Sequence, residues 1–114
     1  TLPKFTGYIH ILRSADEIDV IWFSSHGYPT HCFEVEHSTG VRPGLLRQYQ
    51  IAHATSARFF IIGPEEYRRK FESEIEAEPF RTIKERYEFR SYDELIQVYE
   101  QARVYHEAKK NFGI

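Results

Sequence analysis

Asp19, Glu34 and Glu36 are the residues whose types and spacing point most directly to chemistry. Asp19 stands in Ile18-Asp19-Val20-Ile21-Trp22-Phe23, and the glutamates stand in His31-Cys32-Phe33-Glu34-Val35-Glu36-His37-Ser38. Both segments read as β-strands, joined by the Gly/Pro-containing segment from Ser24 to Thr30. Strand side chains alternate, so Asp19, Ile21 and Phe23 share one face, and Cys32, Glu34 and Glu36 share another. Val20, Trp22, Phe33 and Val35 form the opposite, apolar face, which is expected to be buried against a helix. A register that sets Asp19 across from Glu34 or Glu36 brings three carboxylates together. Like charges that close repel, and a divalent cation relieves the conflict. Mg²⁺ or Mn²⁺ is the expected ion, because hard cations prefer oxygen ligands.

The competing reading makes these acids the solvated face of a half-exposed hairpin. Two details favour the metal site. Asp and Glu are poor strand formers, yet here they interrupt very apolar strand sequence. Ser38-Thr39-Gly40 follows directly, a natural helix entry at which Ser38 or Thr39 serves as cap and the positive helix end lies beside the acids.

Other constellations carry less. His26, His31, Cys32 and His37 suggest zinc, but His31 and His37 fall on the strand face opposite Cys32. For the same reason His37 points away from Glu36 and makes a poor general base unless the strand bulges. Cys32 sits inside a strand without an activating partner. Arg68-Arg69-Lys70 and Lys84-Glu85-Arg86 either touch DNA backbone or form solvated faces. No Gly-rich nucleotide loop occurs.

The elements that must position the acids belong to one α/β domain. At 114 residues the chain has room for one modest core. A hydrophobic content of 41% and an aromatic content of 16% argue against disorder. The net charge of −2 supplies no global basic field, so attraction to nucleic acid must come from local clusters. A single cysteine excludes an intrachain disulfide framework and fits a reducing, cytoplasmic setting. No apolar run approaches the ~20 residues needed to span a membrane, and no signal-peptide pattern opens the chain. The chain starts at Thr1 and contains no methionine, so it is expected to be a piece of a larger parent.

Residues 1–17 read as an irregular lead-in and residues 18–114 as the core domain. After the hairpin, a helix is expected from Arg42 or Pro43 to His53, with Leu45, Leu46, Tyr49 and Ala52 as its buried stripe. Arg58 to Gly63 reads as a strand buried on both faces. Pro64-Glu65-Glu66 opens a helix whose core face is Tyr67, Phe71 and Ile75. Tyr87 to Arg90 is a short strand. Ser91 and Glu94 form a capping box for a last helix, whose apolar stripe is Leu95, Val98, Tyr99, Ala102 and Tyr105. The order predicts a central mixed β-sheet with helices packed against it.

Asp19, the strand carrying Glu34-Val35-Glu36, and the helix containing Leu45-Leu46-Arg47 together resemble the PD-(D/E)xK restriction-endonuclease-like nucleases. The similarity covers Ile18 to His106. In that superfamily an Asp opens the second core strand, and an acid-x-Lys triplet lies on the third. Here Glu36 occupies the Lys position, a substitution some restriction enzymes tolerate. The superfamily's first helix, often carrying another acid, is expected upstream; neither Asp16 nor Glu17 replaces it. The resemblance implies a Mg²⁺-dependent DNA endonuclease, or its catalytic core, from a restriction enzyme. Asp19, Glu34 and the Val35 carbonyl would hold the ion, and Glu36 would hold water or a second ion. Arg47 would pair with the scissile phosphate, or serve as a structural partner for one of the acids. Beyond DNA, the implied partners are a second copy or other domains of the parent. The alternatives are a nuclease fold that no longer cuts and serves DNA binding or assembly, and an interaction domain whose acids are only surface.

Overall fold

A computed structural model describes residues 18–36 and 40–114. The expected hairpin is present: β1 (Val20–Phe23) and β2 (Pro29–Val35) pair antiparallel, with Val20 opposite Phe33 and Trp22 opposite His31. The turn between them is closed by the Ser24 N–H on the Tyr28 carbonyl at 2.8 Å. Gly27 takes the φ of 84° that this turn requires, a conformation glycine adopts without steric cost. The chain continues through α1 (Arg42–Ile51), β3 (Arg58–Gly63), α2 (Arg68–Ile75), β4 (Tyr87–Ser91) and α3 (Tyr92–Phe112). Short 3₁₀ turns precede α2 and β4 and follow α1.

The strands form one mixed sheet in the order β1-β2-β3-β4, with β2 parallel to β3 and β3 parallel to β4. This is the α/β architecture the sequence predicts, compatible with a restriction-endonuclease-like fold. The register sets Cys32 beside Phe59 and Phe59 beside Tyr87, and likewise Glu34 beside Ile61 and Ile61 beside Phe89. These residues line one sheet face and are all buried. Leu45 and Ile51 of α1, Phe71 of α2 and Phe80 cover them and complete the core. Each such side chain contributes about 1.5–3 kcal/mol by leaving water. Arg42 of α1 donates to Glu74 of α2 at 2.8 Å and ties the two covering helices together.

The hairpin face expected inside is the outer one. Val20 and Trp22 are 45% and 57% exposed, and Phe33, Val35 and Phe60 are only half-buried. The cause is connectivity. β2-α1-β3 and β3-α2-β4 are successive crossovers stepping the same way along the sheet. Crossovers of one hand then place both helices on the same face. That face carries Cys32 and Glu34, so the acids lie beneath the helices and the aromatic side chains do not. Phe60 follows the same alternation, so β3 is buried on both faces only toward its end, at Ile61 and Ile62.

Two helices differ from expectation. The buried side of α1 is Gly44, Leu45, Gln48 and Ile51, rotated from the predicted stripe, and Leu46 is exposed. Its N-cap is Val41 without a side-chain cap, so the helix begins beyond Ser38 and Thr39, which lie outside the described residues along with His37. In α3 the predicted Ser91–Glu94 capping box is formed in both directions, at 3.1 and 2.8 Å. Its stripe of Leu95, Val98, Tyr99 and Tyr105 is exposed. The lead-in over residues 1–17 lies outside the described residues.

Candidate active site

Glu34 lies near the end of β2 and Glu36 just beyond it, both on the covered face and both buried. The Glu36 backbone is held on two sides. Its N–H donates to the Ile62 carbonyl at 2.8 Å, and its carbonyl accepts the Tyr92 hydroxyl at 2.8 Å. The ladder therefore continues one residue past the strand, and α3 contributes an anchor from its first residue.

Arg47 of α1 joins the two carboxylates. Its Nε donates to Glu34 Oε2 at 2.8 Å, and its Nη2 donates to Glu34 Oε1 and to Glu36 Oε1, each at 3.3 Å. A planar guanidinium meets a carboxylate through two parallel bonds, which fixes direction as well as charge. In this structure Arg47 is therefore paired with both acids at once. The Glu34 and Glu36 side chains are 0% and 5% exposed, whereas that of Arg47 is 30% exposed.

Asp19 stands at the edge of this group. It is exposed, and its Oδ2 accepts the Val35 N–H at 2.8 Å. Its charge reaches the pair nonetheless. Burial pushes the Glu34 carboxyl up to about 6; Arg47 pulls against that rise and the Asp19 charge adds to it. The hydrogen bond to Glu34, with the charges of Glu34, Glu36 and Asp19, holds Arg47 above its ordinary range. Glu34 and Glu36 converge on Arg47, then, while Asp19 is fastened to the strand beside them. Among the described residues no group of three His, Cys, Asp or Glu side chains is gathered tightly enough to hold a metal ion.

Gly44 makes the approach of α1 possible. A Cβ at that position would lie 2.6 Å from Glu36 Oε1 and 3.0 Å from the Glu34 Cβ. Gly44 and Arg47 are three residues apart and share a helix face. One turn of α1 therefore presents a gap for the Glu36 carboxylate and a cation to neutralise it. Gln48 extends the same face, its Nε2 donating to the carbonyls of Cys32 at 3.2 Å and Phe60 at 3.0 Å. Its Oε1 is buried without a hydrogen-bond partner. Sequence reasoning passed over Gly44, Gln48 and Tyr92. A glycine inside a helical pattern was the available signal, because it often marks close backbone approach.

The remaining candidates separate. Cys32 is buried and its thiol is pushed up to about 12 by burial, which leaves it inert as a nucleophile. His31 lies on the outer face and His26 in the exposed turn, so neither joins Cys32. In the basic runs, Arg68 pairs with Glu65 and Glu94. Arg86 donates to the carbonyls of Ala52, Thr55 and Ala57, closing the chain end of α1. Those two arginines serve the fold.

No helix among the described residues is long and apolar enough to cross a membrane. No solved structure matches the chain. It is 33% identical over 90 residues to the Type II restriction enzyme NmeDI of Neisseria meningitidis serogroup C, an alignment covering 75% of this chain. The matched part is 25% of that protein, so the chain spans about a quarter of its relative's length. The family model for the C-terminal domain of Type II restriction enzyme NmeDI matches residues 2–112. A match over nearly the whole chain places this protein in the NmeDI C-terminal domain family of Type II restriction enzymes.

Proposed function

We propose that this chain is the catalytic core of a PD-(D/E)xK-type DNA endonuclease that hydrolyses phosphodiester bonds with Mg²⁺ or Mn²⁺. The observation that carries the reading is the burial of two carboxylates, two residues apart, beneath one helix turn. Acids that merely solvate a hairpin lie in water. These are desolvated beside each other, a costly arrangement that functional sites retain. The relative's name adds restriction to the reading, and a restriction enzyme acts on DNA within a longer chain.

The donor set suits a hard divalent cation in its chemistry: the Glu34 and Glu36 carboxylates, the Val35 carbonyl, and Asp19 at the edge. The guanidinium now between the two glutamates must leave for them to serve. When bound, the ion supplies Lewis acidity at the phosphate and a more acidic water. The protein's own part is positional. β2 holds Glu34 and Glu36 on one face, and the Val35 N–H fixes Asp19. Glu36, in place of the superfamily's lysine, accepts a proton or orients water and adds no positive charge. Arg47 supplies that charge toward the phosphate.

The second reading is a domain of this fold that binds DNA or assembles without cutting. The same ion pair favours it, since Arg47 already compensates the acids. Cleavage of supercoiled plasmid, with Mn²⁺ binding measured calorimetrically, tests both. Cutting that is lost in Glu34→Gln supports the catalytic core. Mn²⁺ binding without cutting supports the second reading, and absence of both removes the metal site.

A further inference from the structure

Arg47 occupies the space between the two carboxylates that a divalent cation would need. Its Nε and Nη2 lie 2.8 to 3.3 Å from oxygens of Glu34 and Glu36. Both acids are shut from solvent, while the Arg47 side chain is 30% exposed, so the guanidinium stands between the buried oxygens and water. The remaining approach is narrowed by α1 itself, because the backbone at Gly44 is so near Glu36 that a single added methyl would collide with it.

We propose that Arg47 is the resident counter-cation of this site: it holds Glu34 and Glu36 together without metal, and a divalent cation binds by displacing it toward solvent and the incoming phosphate. The proposal rests on the reading of Glu34 and Glu36 as cation ligands. The argument is one of charge and space. Two adjacent buried carboxylates, while both are ionised, need positive charge beside them. Two cations cannot share one gap, so ion and guanidinium compete. A long arginine on a helix surface can swing outward by side-chain rotation alone, with no movement of α1. Binding then couples two events. Ion entry frees a planar double donor matched to phosphate oxygens, at the moment when a phosphate is to be held.

The competition makes a specific demand of a charge-removing substitution: taking Arg47 away should improve cation binding. Mn²⁺ alone is titrated calorimetrically into the wild-type chain, Arg47→Met and Arg47→Lys. Arg47→Met, which fills similar volume without charge, should bind Mn²⁺ at least tenfold more tightly than wild type. Arg47→Lys should fall between, since an ammonium cannot span both acids. In the wild-type chain, adding Mg²⁺ should move the Arg47 Nε–H resonance to the position of a solvent-exposed arginine and quicken its exchange with water. Equal or weaker Mn²⁺ binding by a folded Arg47→Met overturns the displacement and leaves the metal-site reading standing. If that variant does not fold, an Arg47 resonance unmoved while Mg²⁺ binds the wild-type chain overturns it equally. Failure of both wild type and folded Arg47→Met to bind Mn²⁺ overturns the displacement together with the reading beneath it.

Discussion

The two faces of the sheet invert the ordinary relation between polarity and burial. On the covered face, Cys32, Phe59 and Ile61 are joined by the fully buried carboxylate of Glu34. On the other, Trp22, Phe33 and Phe60 form a continuous row of rings, with centroids 4.8 Å apart between Trp22 and Phe33 and 5.0 Å between Phe33 and Phe60. His31 stacks on both phenylalanines. Yet Trp22 is more than half exposed. The difference teaches that apolarity selects a face only where connectivity leaves a choice. Once β2, β3 and β4 run parallel and step in one direction, their crossover helices are committed to one side. The carboxylates on that side are buried with the rest and survive by pairing with Arg47.

The comparison is broken most severely from the covered face. Phe59→Ala should destabilise the chain by about 3–5 kcal/mol, because the vacated volume is enclosed by Tyr87 and the Arg86 guanidinium over the ring. Urea unfolding measures this, and a loss under about 1 kcal/mol would mean the helices do not cover that face.

Gly44→Ala should cost about 1–2 kcal/mol. Overpacking against Glu36 opposes the gain in helix propensity that alanine ordinarily brings. A variant more stable than wild type would show that α1 sits farther from the acids than described.

The buried acid itself gives a pH signature. The Glu34 carboxyl, at about 6, lies above the 4.5 of a free glutamate, so the folded state binds its proton more tightly than the unfolded state does. Relative to Glu34→Gln, the wild-type chain should therefore gain about 1–2 kcal/mol as pH falls from 7 to 4.5. Parallel stability curves for the two proteins over that window would place Glu34 in water.

The outer face should respond least. Trp22→Ala, which on an enclosed face would cost several kcal/mol, should cost under about 1 kcal/mol here, because much of the ring already meets solvent. A loss near that of Phe59→Ala would erase the distinction between the faces.

Much of this architecture was legible without coordinates. The turn residues between Ser24 and Thr30 announced the hairpin, Arg58 to Gly63 announced β3, and Ser91 with Glu94 announced the start of α3. The matching parity of Glu34 and Glu36 was also legible, because strand alternation depends only on spacing. The pairing of these acids with Arg47 was one of two roles open to that arginine, and the position of α1 over β2 is what brings these partners together.

What the sequence by itself determined, then, is local: where strands and helices run, and which side chains share a face. Those outcomes follow from backbone sterics, capping and periodicity within a few residues. Tertiary structure alone decided which face is inside, how α1 is rotated over it, and that Gly44 meets Glu36. These depend on the direction in which successive crossovers step across the sheet, a relation among segments tens of residues apart. No window of sequence contains it, and the hydrophobic pattern of the hairpin pointed to the other face.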